Sequence, residues 1–184
     1  ALHTEGDRLK FINCRILGNQ DTIYTGAKFT RLYFKDCYID GTTDFIFGPS
    51  TALFEDCIIR SKRNSYVTAA STPKEAKYGY VFKHCKLTAE PGVDKVYLGR
   101  PWRPYAYTLF IECELGKHIV SAGWHNWGKQ SNEETARYME YKNTGEGANA
   151  SERVAWSKQL TKKEAEAVTV DAIFRTQSNW NPID

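Results

Sequence analysis

Arg31-Leu-Tyr-Phe-Lys-Asp-Cys-Tyr-Ile39 holds the pattern that decides the fold: Phe34, two polar residues, Cys37, one residue, Ile39. The phrase Phe-x-x-Cys-x-Ile/Leu occurs five times, at Phe11/Cys14/Ile16, Phe34/Cys37/Ile39, Phe54/Cys57/Ile59, Phe82/Cys85/Leu87 and Phe110/Cys113/Leu115. It uses all five cysteines, and successive copies lie 20 to 28 residues apart. A phrase returning at such an interval marks a solenoid, in which each unit buries its apolar face only against the next. Leu9, Leu32, Ala52, Tyr80 and Thr108 stand two residues before the phenylalanines, so each unit alternates with the period of a strand. Between Phe and Cys the inside-outside count slips by two, at polar pairs such as Lys35-Asp36, Glu55-Asp56 and Lys83-His84. That slip is a bend at an exposed corner. Strands that bend and return at this spacing predict an all-β chain folded as a parallel β-helix. The Leu-x-x-Leu-x-Leu frame of leucine-rich repeats is absent.

The coils are expected over residues 7–127, so that 1–127 form the β-helix carrying any site and 128–184 a C-terminal coil and tail. In that tail, residues 137–142 alternate weakly and predict one more strand. Thr161 and Glu164 have the spacing of a capping box, which opens a short helix through about Val168. The Gly/Asn/Ser-rich stretch 145–151 predicts a surface loop. Its Asn149-Ala-Ser151 is a glycosylation sequon by form only.

Composition sets bounds. The chain has 184 residues, 41% of them hydrophobic, enough for one domain or part of one. No run of about 18 apolar residues suggests a membrane span. No basic-then-apolar leader is visible at Ala1-Leu2-His3-Thr4. A formal charge of +3 argues against nucleic acid as a partner, while leaving room for a locally basic groove facing an acidic polymer. An odd cysteine count is no closed disulfide framework. Five thiols in one repeated slot predict an inward ladder of small apolar groups. His3, His84, His118 and His125 fall outside metal-ligand spacings, so neither a metal nor another cofactor is expected.

Chemistry is sought where the repeat departs from its own rule. Asp21 lies seven residues beyond Cys14, and Asp44 seven beyond Cys37. Each closes a Gly-x-x-Asp phrase, Gly18-Asn-Gln-Asp21 and Gly41-Thr-Thr-Asp44. Stacking in register would set the two carboxylates on adjacent rungs, ~4.8 Å apart. The next coil has Asn64 at this offset, so the repeat itself does not demand the pair. Two carboxylates that close raise one pKa by repulsion, leaving one as acid and the other as nucleophile or base. Taken singly, each Asp reads better as a turn residue bonding its own backbone. The shared register, the amide of Gln20 before Asp21 and the apolar Phe45-Ile46-Phe47 after Asp44 favour the pair.

These segments also carry a resemblance. Gln20-Asp21-Thr22, Asp44-Phe45-Ile46-Phe47-Gly48 and Leu98-Gly99-Arg100-Pro101-Trp102 resemble, in order, three signature segments of the pectin methylesterases, or pectinesterases. The likeness extends to Gly123-Trp124 and covers most of the chain. It implies a right-handed parallel β-helix, secreted or periplasmic, that removes methyl esters from homogalacturonan with release of methanol. It implies Asp44 as nucleophile, Asp21 as general acid and then base, Gln20 as an oxyanion-hole donor, and Arg100 as the residue holding the nucleophile. Trp102 is implied to pack on substrate sugar, with Tyr24, Phe47 and Trp124 as further groove aromatics. Ala1-Leu2 resembles the tail of the family's Gln-Ala-Val-Ala-Leu segment. That would put a second oxyanion-hole Gln before residue 1 and make the chain the C-terminal portion of a longer enzyme. An uncovered first rung, around Leu9, Phe11 and Cys14, would then be a surface for self-association.

The roles are physically coherent. An amide donor such as Gln20 stabilises an oxyanion by roughly 2.7–4 kcal/mol. The leaving methoxide needs the proton that Asp21 would hold, and Arg100 would keep Asp44 ionised through a charge-assisted contact. Two alternatives stay open: a pectin-cleaving glycosidase, which also uses paired carboxylates, and a non-catalytic polysaccharide-binding solenoid. A calcium-dependent lyase lacks its acidic cluster, and a serine esterase its Gly-x-Ser-x-Gly.

Overall fold

A computed structural model describes residues 1–175 and 179–183. The chain is a right-handed parallel β-helix, as its repeat and its family likeness predict. Among the described residues every strand pair is parallel, and three sheets run along the coil axis. The first holds Leu2–Thr4, Ile23–Thr25, Ile46–Gly48, Tyr66–Ala70 and Tyr97–Gly99. The second holds Leu9–Ile12, Arg31–Lys35, Thr51–Glu55, Tyr80–Lys83, Tyr107–Ile111, Arg137–Tyr141 and Lys158–Gln159. The third runs through Arg15–Ile16, Tyr38–Gly41, Ile58–Ser61, Lys86–Ala89 and Glu114–Leu115.

The Phe-x-x-Cys slip is the corner between the second and third sheets. The residue before each cysteine, namely Asn13, Asp36, Asp56, His84 and Glu112, has φ between 51° and 53°. One left-handed residue turns the chain and resets which face points inward. Asn, Asp and His are the side chains that tolerate this region best, so four of the five corners are built from suitable residues.

Register turns the repeat into ladders. Phe11, Phe34, Phe54, Phe82 and Phe110 pair in sequence across the second sheet. Their rings stack with centroids 4.4–4.7 Å apart and planes within 11°. Beside them Cys37, Cys57, Cys85 and Cys113 are buried, each thiol directed at a carbonyl of the preceding coil 3.3–3.6 Å away. Burial pushes the Cys85 thiol well above its usual range. Cys14, on the first rung, is only half-buried. A thiol reagent should therefore modify Cys14 readily and the other four only on denaturation. Rapid reaction of all five in the native protein would refute the ladder.

The repeat runs one coil further than its cysteines. Phe110 pairs with Glu140, so Glu140 occupies the phenylalanine slot of the next rung, and Asn143 follows three residues on, where cysteine would stand. Glu140 is 2% exposed and ion-paired with Arg153, 4% exposed, at 2.8 Å. Asn143 bonds Glu140 and accepts the amide of Cys113. A polar group thus closes the stack, as a solenoid end requires. Stretch 145–151 winds as two 3-10 turns, Glu146–Ala148 and Ala150–Glu152.

Beyond the cap the chain turns back. Helix α1, Lys162–Glu166, begins with the predicted Thr161/Glu164 capping box and is followed by α2, Val170–Phe174. Ala165, Val168, Ile173 and Phe174 pack on Tyr33, Leu53, Val81, Leu109 and Ile111, which face outward from the second sheet. That sheet is accordingly buried on both faces, inside by the coils and outside by the tail. Arg31 fastens the tail: it contacts both carboxylate oxygens of Asp7 and donates to the Phe174 carbonyl at 2.8 Å.

Candidate active site

The site lies where strands of the first sheet begin. Ile23 pairs with Ile46 and Tyr24 with Phe47, and the same offset brings Asp21 opposite Asp44. The backbone bonds agree, with the Asp21 amide donating to the Thr43 carbonyl and the Ile23 amide to Phe45. Both aspartates have left-handed backbone, φ 57° and 48°, a region Asp tolerates better than most residues. The glycines of the two Gly-x-x-Asp phrases make room for this turn. A Cβ on Gly18 would lie 2.5 Å from Thr22 Oγ1, and one on Gly41 would lie 2.2 Å from Phe45 Cβ. Thr22 then bonds the carbonyls of Asn19 and Asp40, and the Lys62 ammonium bonds that of Gly18. The loop carrying Gln20 and Asp21 is thus held from beneath.

Gln20, Asp21, Asp44, Phe47, Ala69, Arg100, Trp102 and Trp127 line one cleft of about 250 Å³. Asp44 is 7% exposed. Arg100, placed just after strand Tyr97–Gly99, grips it with two parallel bonds, Nε to Oδ1 at 3.0 Å and an Nη to Oδ2 at 2.7 Å. This fork geometry is among the strongest polar contacts available to a carboxylate. Among the described residues no such cation meets Asp21. Partial burial, and then the Asp44 carboxylate, push its carboxyl above the usual range. The two acids are therefore unlike: one is gripped by a guanidinium, and the other has its carboxyl shifted upward.

The aromatics divide. Tyr24 stacks on Phe47 at 4.5 Å, and Trp102 meets Phe47 edge-on at 5.8 Å. Tyr24 and Trp102 continue into an adjoining groove of about 520 Å³ at the far ends of the same strands, with Lys28, Lys74 and Arg103 among its walls. Trp124 does not join them. It is 1% exposed and packs on Phe110 and Tyr138, because at the end of the phenylalanine stack the core needs a large apolar ring. The indole that lines the cleft is the half-buried Trp127, three residues on, which lies 3.7 Å from the Arg100 guanidinium. Tyr66 covers the other side of that guanidinium at 3.9 Å. Sequence reading missed both; nothing in either residue type distinguishes a groove ring from a core ring. Among the described residues no cluster of His, Cys, Asp or Glu could hold a metal ion.

The pectinesterase family model matches residues 1–177. Pectinesterase 31 of Arabidopsis thaliana is 43% identical over 90% of this chain and 52% of its own length. The pectin methylesterase from carrot superposes with a TM-score of 0.85 at 34% identity, covering 91% of this chain and 57% of that one. A pectin methylesterase mutant in complex with a hexasaccharide superposes at 0.81 with 30% identity, over 96% of this chain and 59% of its own. The chain spans about half the length of pectinesterase 31 and of the carrot protein.

Proposed function

Because the chain belongs to the pectinesterase family, we propose that it carries the active site of a carboxylic ester hydrolase acting on methyl-esterified homogalacturonan. The observation that carries this reading is the pairing, in one aromatic-walled cleft, of a buried Asp44 gripped by Arg100 with an Asp21 that no guanidinium holds and whose carboxyl is pushed upward by burial and by Asp44. In the first step an oxygen of Asp44 attacks the ester carbonyl, and the Gln20 amide donates to the oxyanion. Collapse expels methanol, whose oxygen takes the proton from Asp21, and leaves an acyl anhydride on Asp44. In the second step Asp21, now a carboxylate, takes a proton from water as that water attacks the acyl carbon. The product leaves as the carboxylic acid, which gives its proton to bulk water, and both aspartates return to their starting states. Arg100 positions the nucleophile in both steps.

The polymer would run along the strands, with Trp102, Tyr24 and Phe47 offering ring faces to sugar. Lys28, Lys74 and Arg103 fit the free carboxylates that such a polymer gains as it is de-esterified. A solved relative holds a hexasaccharide, which supports a sugar polymer as ligand. The family setting supports a secreted or periplasmic location. The test is to incubate the protein with methylated pectin and follow both methanol and chain length. Methanol without shortening is the expected result. Shortening would mark a glycosidase, and binding without either change a non-catalytic solenoid.

A further inference from the structure

Arg100 does more than meet Asp44: its guanidinium is enclosed. Tyr66 lies under it at 3.9 Å and Trp127 over it at 3.7 Å, so its plane is fixed from both faces while its edge meets the carboxylate. The upper ring is held by an unusual backbone. Trp127 has φ 63°, a conformation costly for a bulky side chain, which persists only where surroundings enforce it. The enforcing contact is local. The Trp127 amide donates to His125 Nδ1 at 3.0 Å. The loop is fastened on both sides of this bond: the His125 amide donates to Gly99, Asn126 Oδ1 accepts from Gly128, and Asn132 donates to the Asn126 carbonyl.

We propose that His125 is a pH-sensitive positioning residue: its neutral ring seats Trp127 on Arg100, and its protonation releases Trp127 and loosens the grip on Asp44. An Nδ1 that accepts a hydrogen bond carries no proton. When it takes one, the bond to Trp127 is lost and two N–H groups face each other. The titratable and charged groups around the ring are Tyr66 at 5.4 Å, Tyr97 at 5.3 Å and Arg100, with Asp44 behind it. None is an anion in contact with the imidazole, so nothing offsets the new charge. Burial, and then Arg100, hold His125 below its ordinary value, which keeps the clamp closed through the neutral range. The inference rests on the proposed function only for the meaning of the grip; the linkage from His125 to Arg100 stands on geometry.

The test follows the Nε–H of Arg100 by NMR hydrogen exchange, which needs no turnover, alongside methanol release. His125→Phe keeps a ring and removes the acceptor. His125→Asn keeps an acceptor that does not titrate, in a turn this chain already uses at Asn126, Asn149 and Asn181. Trp127→Gly removes the indole while relieving the left-handed backbone, so it is not a folding defect. Exchange at neutral pH should rise about tenfold in His125→Phe and Trp127→Gly, the scale of one lost hydrogen bond. It should stay at the native rate in His125→Asn. Measured relative to a free arginine at the same pH, which removes the base catalysis of exchange itself, it should rise on acidification in the native protein, and in His125→Asn that rise should vanish. Unchanged exchange in both His125→Phe and Trp127→Gly, or an identical acid response in His125→Asn, overturns the proposal. If exchange behaves as expected but native protein releases no methanol, the clamp stands and the esterase reading falls.

Discussion

Replacing Asp44, the proposed nucleophile, with alanine is expected to bring methanol release from methylated pectin down to background, a loss on the order of 10⁶-fold, the scale measured for a deleted nucleophile. The fold should survive, because the Arg100 guanidinium keeps its two ring contacts and the Asp44 backbone bond to Tyr66 needs no side chain. Asp21→Asn should lose about 10²–10⁴-fold, the usual share of a general acid, since an amide of the same shape delivers no proton. The two changes separate the roles. Added acyl acceptors or stronger leaving groups should partly rescue Asp21→Asn and never Asp44→Ala. The measurement is methanol release with a far-ultraviolet spectrum of each variant; near-normal turnover in either, with spectrum intact, removes the role assigned to that residue.

The second large effect concerns stability. Arg153→Met should cost about 3–5 kcal/mol, the usual consequence of leaving one member of a buried ion pair alone. Here that member is Glu140, 2% exposed within the phenylalanine column. The carbonyls of Ser121 and Gly147 lose their donor as well. Glu140→Leu combined with Arg153→Met should recover much of the loss, because an apolar pair suits that column. Denaturant midpoints of the single and double variants give the answer. Equal midpoints for native protein and Arg153→Met would show that the pair is not a cap.

The same comparison shows what a sequence discloses. Five copies of Phe-x-x-Cys made the coils legible, since register forces identical positions into identical environments. Glu140 and Asn143 keep the positions of that phrase while changing its chemistry, so a reader searching for Phe and Cys stops one coil early. Asp21 and Asp44 were legible as a stacked pair because their offset from the cysteines is the same. Arg100 was not legible from spacing, being 56 residues from its partner; only likeness to a family pointed to it. The exchange of Trp124 for Trp127 has the same root. Both follow Gly123 within a few residues, and which ring turns outward depends on a left-handed φ at Trp127 that no residue preference announces. The outward-facing Leu53, Val81 and Leu109 defeat the rule of polar exteriors, because the tail that covers them is distant in sequence.

That tail changes what kind of object the molecule is. In a stack of coils each turn senses only its neighbours, and such arrays can fray from an end one unit at a time. Here α2 lies against the strand Thr51–Glu55, while Arg31 ties the Phe174 carbonyl to Asp7. The segment around Phe174 therefore closes on rungs that precede it by more than a hundred residues. During synthesis the early rungs must wait, their outer apolar face bare, until residues near 174 have emerged. Once they arrive, the tail and the rungs it covers share a fate, and loosening either one exposes the flank of the second sheet.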